Sequence, residues 1–133
     1  MNLYINSPAY YSQFCCTDDD IYSFCLKIRK NIDITQYTQN LESIGITPII
    51  APLEELEKGK WGEIKMVSKK YKYADISLQI DYVKYSLADI SNKKKLILDN
   101  IISSLYEIKK RMGNDFNFDK IKEDIIAIVC SDF

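Results

Sequence analysis

Between Tyr73 and Tyr82 apolar and polar positions alternate without interruption. Ala74, Ile76, Leu78, Ile80 and Tyr82 fall on one side, and Tyr73, Asp75, Ser77, Gln79 and Asp81 on the other. A period of two predicts a strand in a sheet with one face covered and the other wet. Glu63 to Lys69 reads as its hairpin partner, joined around Lys70-Tyr71-Lys72. Asn2 to Asn6, stopped by Ser7-Pro8, predicts a first strand. Ile44 to Ile50 predicts another, in which Pro48 lacks the N–H a ladder needs; that places the strand at an edge or gives it a bulge. Pro52 to Leu56 suggests a short helical turn, Tyr10 to Phe14 has no clear preference, and residues 33–42 are polar and poorly patterned.

The period changes to that of a helix in three places. Ile21, Phe24, Cys25, Ile28 and Ile32 form one stripe; Thr17 is its expected cap, Asp18, Asp19 and Asp20 favour the positive end of the dipole, and Lys27, Arg29 and Lys30 the negative end. A second helix is expected from about Ser91 to Met112, with Leu98, Ile101, Ile102, Leu105 and Ile108 as its stripe and Gly113-Asn114 as its stop. A third starts at Asn117 as cap, with Phe116 and Ile121 placed to form a hydrophobic staple, and continues through Ile125, Ile128 and Val129. The predicted class is α+β: a mostly antiparallel four-stranded sheet with helices on one face, in the order β-α-β-β-β-α-α.

Length and charge narrow the reading further. The 133 residues suit one domain, 1–133, able to bury a core without staples. The net charge of −1 gives no overall attraction to nucleic acid or anionic membrane. Residues 1–63 carry nine acids against five bases, and residues 64–133 ten against thirteen. The N-terminus lacks a basic start followed by an apolar stretch, and no apolar run approaches the roughly 20 residues of a membrane span. The expected location is therefore cytoplasmic. Cys15, Cys16, Cys25 and Cys130 show no metal-binding spacing and read as reduced thiols.

There is no histidine, which removes Ser-His-Asp and Cys-His catalysis and the usual general base near pH 7. No phosphate-binding glycine loop is present, and no cofactor is expected. Asp75 and Asp81 share a strand face but lie roughly 20 Å apart, too far for a catalytic pair. That face is either simply solvated or a surface for a protein partner. Lys65, Lys69, Lys70 and Lys72, with Tyr71 and Tyr73, suit single-stranded nucleic acid or, equally, a lysine-protected hairpin edge. Trp61, between Gly59 and Gly62, is either an interface anchor or a side chain folded onto the core. The expectation is a non-enzymatic binding protein. Its partner surface comprises Tyr73, Asp75, Ser77, Gln79 and Asp81, with Trp61 and Tyr71 at the margin; a small nucleic-acid-binding regulator is the alternative.

Three stretches carry a family resemblance: Ile44 to Ile50, Lys70 to Tyr82, and Leu96 to Leu105 followed by Asp115-Phe116-Asn117-Phe118-Asp119. In this order they resemble the immunity protein 44 family of bacterial polymorphic toxin systems, over roughly residues 2–128. The resemblance implies an antidote that binds the C-terminal domain of a cognate toxin and occludes it stoichiometrically. It transfers no catalytic residue. Tyr10 to Cys16 departs from the family pattern.

Overall fold

The computed structural model describes residues 2–5, 9–10, 19–52, 64–66 and 73–133, with the backbone alone for residues 2, 9–10 and 64–66. Its strands are β1 (Asn2–Ile5), β2 (Ala9–Tyr10), β3 (Ser43–Ile46), β4 (Ile49–Ala51), β5 (Ile64–Met66), β6 (Tyr73–Ile76) and β7 (Gln79–Asp81). The helices are α1 (Asp19–Asn31), α2 (Tyr82–Leu87), α3 (Ile90–Met112) and α4 (Phe118–Val129).

The sheets are parallel, which corrects the expectation of a mostly antiparallel four-stranded sheet. One sheet has the order β1-β3-β6-β5 and the other β2-β4-β7; among the described strands only β5 runs antiparallel to its neighbour. The β5–β6 pairing bears out the hairpin, with Lys65 opposite Asp75. However, β6 lies between β5 and β3, so the chain leaves β4 for the outer edge and returns inside it. The apolar triplet of β4, buried at all three positions, is what a strand in a parallel sheet covered on both faces requires.

The strand expected over Ile44 to Ile50 is split at Thr47-Pro48, and the strand from Tyr73 is split at Ser77-Leu78. Ile46 faces Ile76 and Ile49 faces Gln79, so the register is kept across the gap. The N–H of Thr47 donates to Ile76 O and that of Ile49 to Leu78 O, both at 3.0 Å. On the other flank Ile5 faces Ile46 but Ala9 faces Ile49, so the register shifts by one residue. Because Thr47 and Ile49 both turn their N–H groups toward β6 and β7, the missing N–H of Pro48 falls on the flank where the pairing shifts. The proline therefore interrupts an inner strand and does not mark an edge, because β3 and β4 each have neighbours on both sides.

The helical stripes form the core. Ile21, Phe24, Cys25, Ile28 and Ile32 are all buried, as expected. They meet Leu3, Ile5, Ile44, Ile46, Ala74 and Ile76 from the sheet. In α3 the buried line is Ile97, Ile101, Leu105 and Ile108, joined by Asn100 and Ser104; Leu98 and Ile102 lie on its flank. Gly113 ends α3 with φ 62°, and the Lys109 ammonium donates to Gly113 O at 2.7 Å and to Phe116 O at 3.0 Å. Asn117 caps α4, accepting from the Lys120 N–H at 3.2 Å, and both proposed staple residues, Phe116 and Ile121, are fully buried. The Thr17 cap lies outside the described residues.

Two features were not expected. Tyr82 does not end a strand; it opens α2, a short helix capped by Asp81. Residues 33–42 contribute Ile34, Tyr37, Thr38 and Leu41 to the interior, starting from a 3-10 turn capped by Asp33.

Candidate functional site

The open face of the first sheet is built by alternation. Leu3, Ile5, Ile44, Ile46, Ala74 and Ile76 point into the core, which turns Tyr4, Gly45 and Asp75 outward. The register sets Tyr4 beside Gly45, Gly45 beside Asp75, and Asp75 beside Lys65, in one row across four strands. Glycine at the centre of that row leaves room for the neighbouring side chain: a Cβ on Gly45 would run into the Asp75 carboxylate. At the β1 end the Arg29 guanidinium sits 4.8 Å from the centre of the Tyr4 ring, a cation–π contact that ties the end of α1 to this face.

The predicted surface residues divide into three groups. Asp75 is exposed on the row, while Tyr73, at the start of β6, and Ser77, just past its end, are half-buried. Gln79 and Asp81 have local structural tasks. The Gln79 amide nitrogen donates to Ala51 O and Pro52 O, both at 2.9 Å, and ties β7 to the end of β4. One carboxylate oxygen of Asp81 accepts the Val83 N–H at 3.3 Å as the α2 cap. Trp61 and Tyr71 lie outside the described residues, as do Lys69, Lys70 and Lys72.

Beside β7 runs a second feature, a groove of about 330 Å³ lined by Gln79, Asp81, Lys84, Asp99 and Asn100 among others. The α3 side chains reach it because Leu96, Asp99, Asn100 and Ser103 recur at helical spacing on one face. Asn100 is only 6% exposed. Its amide nitrogen donates to Leu78 O at 2.9 Å. The signal was present in the sequence as Asp99-Asn100 and Ser103-Ser104 interrupting an apolar run. A helical stripe traced through apolar positions alone leaves these residues out.

α2 exposes apolar side chains next to the groove: Leu87 at 83% and Val83 at 58%. Elsewhere, the carboxylates shifted below their usual range are structural. Asp33 is lowered by hydrogen bonds from Thr35, and Asp124 by hydrogen bonds from Tyr37 and then Lys120. Among the described residues no group of three or more His, Cys, Asp or Glu side chains is placed to hold a metal ion, and no helix is long and apolar enough to cross a membrane. Cys25 is buried and Cys130 exposed.

Neither the curated proteins nor the solved structures give a significant match to this chain. The family model described as immunity protein 44 matches residues 1–131, nearly the whole chain and the same stretches of strand and helix that carry the resemblance. The chain belongs to the immunity protein 44 family.

Proposed function

We propose that this protein is an antidote: it binds the C-terminal domain of a cognate polymorphic toxin and neutralises it by stoichiometric occlusion, without catalysis of its own. The observation that carries this reading is the family match over residues 1–131. The fold is consistent with it. The sheet, with α1 packed on its core side, presents Tyr4, Gly45 and Asp75 on an outward row, with Tyr73 and Ser77 beside it.

A specific protein interface needs on the order of 1,600 Å² of buried surface in total. The row alone is too small, so the contact includes neighbouring elements, with Trp61 and Tyr71 as aromatic anchors from the expected surface. If the toxin domain is basic, as an enzyme acting on nucleic acid would be, Asp75 steers its approach. The protein acts where the toxin would otherwise act, which for a self-protecting cell is the cytoplasm.

The test is calorimetry of the full chain against the toxin domain encoded beside its gene. Tight one-to-one binding, weakened at least tenfold by Asp75→Lys, supports both the role and the face. Tight binding indifferent to Asp75→Lys keeps the role and removes the face. Absence of binding at micromolar concentrations overturns the pairing.

A further inference from the structure

α2 is held to the body of the protein by its one buried side chain, Tyr85. With Tyr85 anchored inward, Val83, Lys84 and Leu87 are turned to solvent. Val83 and Leu87 stand four residues apart and share a face of the helix. Single exposed apolar side chains need no explanation, but these are not isolated. Leu87 and Ala88 meet Leu96, on the second turn of α3, in a depression of about 400 Å³. Leu87 is the most exposed of the large apolar side chains among the described residues.

The charge around this depression has one sign. Lys84 of α2 and Lys95 of α3 line it together with Asn92, and among the described residues no carboxylate does. The nearest acids in sequence are directed elsewhere. Asp81 accepts the Val83 N–H and Asp89 the Asn92 N–H as helix caps, and Asp99 lines the neighbouring β7 groove. Of the three successive lysines in α3, Lys93 lies over the Tyr85 ring and Lys94 pairs with Asp132, so Lys95 is the one that turns to the depression. Lys95 also comes within 5.9 Å of the centre of the Phe133 ring, a contact that leaves its ammonium able to meet a carboxylate. Apolar walls beside two ammonium groups call for a bulky apolar side chain with a carboxylate next to it. We infer that the depression between α2 and the start of α3 receives a leucine or aromatic side chain of the toxin domain, flanked by an aspartate or glutamate that meets Lys84 and Lys95. This rests on the antidote reading for its partner but not for its chemistry. The charge requirement is local and holds whatever the net charge of the toxin domain. An anionic membrane offers the same two kinds of group, but a six-residue helix with two exposed aliphatic side chains presents too little apolar area to hold the chain at a lipid surface.

The chemistry is tested without the toxin. The isotope-labelled full chain is titrated with the end-blocked tripeptide glutamate-phenylalanine-glutamate and, separately, with lysine-phenylalanine-lysine, following the backbone amide signals of Leu87, Ala88, Asn92 and Lys95 by NMR. Saturable shifts of those signals in the millimolar range are expected for the acidic peptide, with at least tenfold weaker response to the basic one. No saturable shift, or an equal response to both, overturns the site. The partner is tested by calorimetry with Leu87→Ser, an exposed position whose change removes no core packing. A tenfold or greater loss of toxin affinity, with the thermal unfolding transition retained, supports the assignment; unchanged affinity overturns it and leaves the antidote role intact. If Leu87→Ser does not fold, Lys95→Glu replaces it, and affinity unmoved by that change overturns the assignment. Acidic-peptide binding by a chain that does not bind the toxin domain keeps the chemistry of the depression and overturns its partner. Two other occupants have signatures of their own, and either overturns the assignment. Self-association in sedimentation equilibrium that Leu87→Ser abolishes means a second copy of this chain. Cosedimentation with vesicles of phosphatidylcholine and phosphatidylglycerol in equal parts, abolished by the same change, means a lipid surface.

Discussion

The hydroxyl of Tyr37 donates to the Asp124 carboxylate at 2.6 Å, joining the segment after α1 to the last helix. The backbone of the same tyrosine accepts the Asn117 N–H at 2.9 Å, so the residue grips α4 at its cap and again two turns later. Burial first, and then the bond to Asp124, pushes the Tyr37 hydroxyl well above its usual range, while that bond and Lys120 hold Asp124 below its own. The two shifts have opposite pH consequences. A raised tyrosine stabilises the fold below the unfolded value near 10 and loses that contribution as pH rises past it. A lowered aspartate stabilises above the unfolded value near 3.8 and loses it as pH falls. Tyr37→Phe is therefore expected to lower Tm by several degrees at neutral pH. The gap between wild type and variant should stay level across the neutral range and narrow progressively only once pH falls below the usual aspartate value. Thermal melts of both proteins across pH check this; a gap that widens as pH falls into the acid range refutes the assignment.

Two glycines make opposite predictions. Gly113 has φ 62° and ψ −129°, a conformation that side chains avoid, so Gly113→Ala should cost about 1–3 kcal/mol although nothing lies within reach of the added methyl group. Gly45 has no such backbone constraint. Its methyl group would meet the end of the Asp75 side chain, which can swing away. Gly45→Ala should cost less than about 1 kcal/mol and be coupled to Asp75→Ala in a double-mutant cycle, by about 0.5 kcal/mol or more. Denaturant unfolding of the four variants decides both.

Ala74, Ile76 and Ile80 took the places their alternation gave them, and all five apolar positions of the α1 stripe were buried. Local periodicity was legible because it depends only on which side of an element meets the core. Strand direction was not. The alternation of β6 is the same in a parallel or an antiparallel sheet, and the hairpin with β5 pointed to the antiparallel choice. Only the apolar triplet Ile49-Ile50-Ala51 hinted at a covered parallel strand. The exposure of Asp75 follows from the alternation alone. Gln79 and Asp81 were placed on the right strand but not recognised as a tie and a cap, because their partners, Ala51, Pro52 and Val83, depend on where β4 ends and α2 begins. Asn100 was missed because a polar residue inside an apolar stripe carries no period of its own.

The α3 stripe is centred one residue earlier than the sequence suggested. Ile97 is fully buried, whereas Leu98 lies on the flank of the core. Ile97→Ala should cost about 2–5 kcal/mol, in the range for truncation inside a packed interior, and Leu98→Ala clearly less. Equal losses in chemical denaturation would place the helix in a different rotation.

The described thiols differ in access. Cys130 is exposed, with its Sγ 3.2 Å from Ala127 O, and Cys25 is 2% exposed on the buried face of α1. Cys130 should react with a thiol reagent in the native protein, and Cys25 only as the protein unfolds. Mass mapping of labelled peptides at increasing urea reads this directly; native labelling of Cys25 ahead of Cys130 would contradict the packing of α1.

Asp75 and Asp81 occupy the same strand face in the sequence but perform different work. Asp81 caps a six-residue helix, so Asp81→Ala should cost about 1 kcal/mol and loosen α2, which borders the β7 groove. Asp75 is an exposed carboxylate on the open row, and Asp75→Ala should change stability by no more than about 0.5 kcal/mol. On the proposed antidote reading, their effects on binding should separate in the same way. If the toxin domain is basic, Asp75→Ala lowers the association rate and reduces its dependence on salt, because a rim charge acts during approach. Asp81→Ala is instead expected to raise the dissociation rate if α2 lies in the interface, because its apolar face is less firmly held. Stopped-flow association at two ionic strengths, with dissociation followed by competition, distinguishes them. An Asp81→Ala protein that dissociates at the wild-type rate would mean that α2 and the groove beside it lie outside the interface.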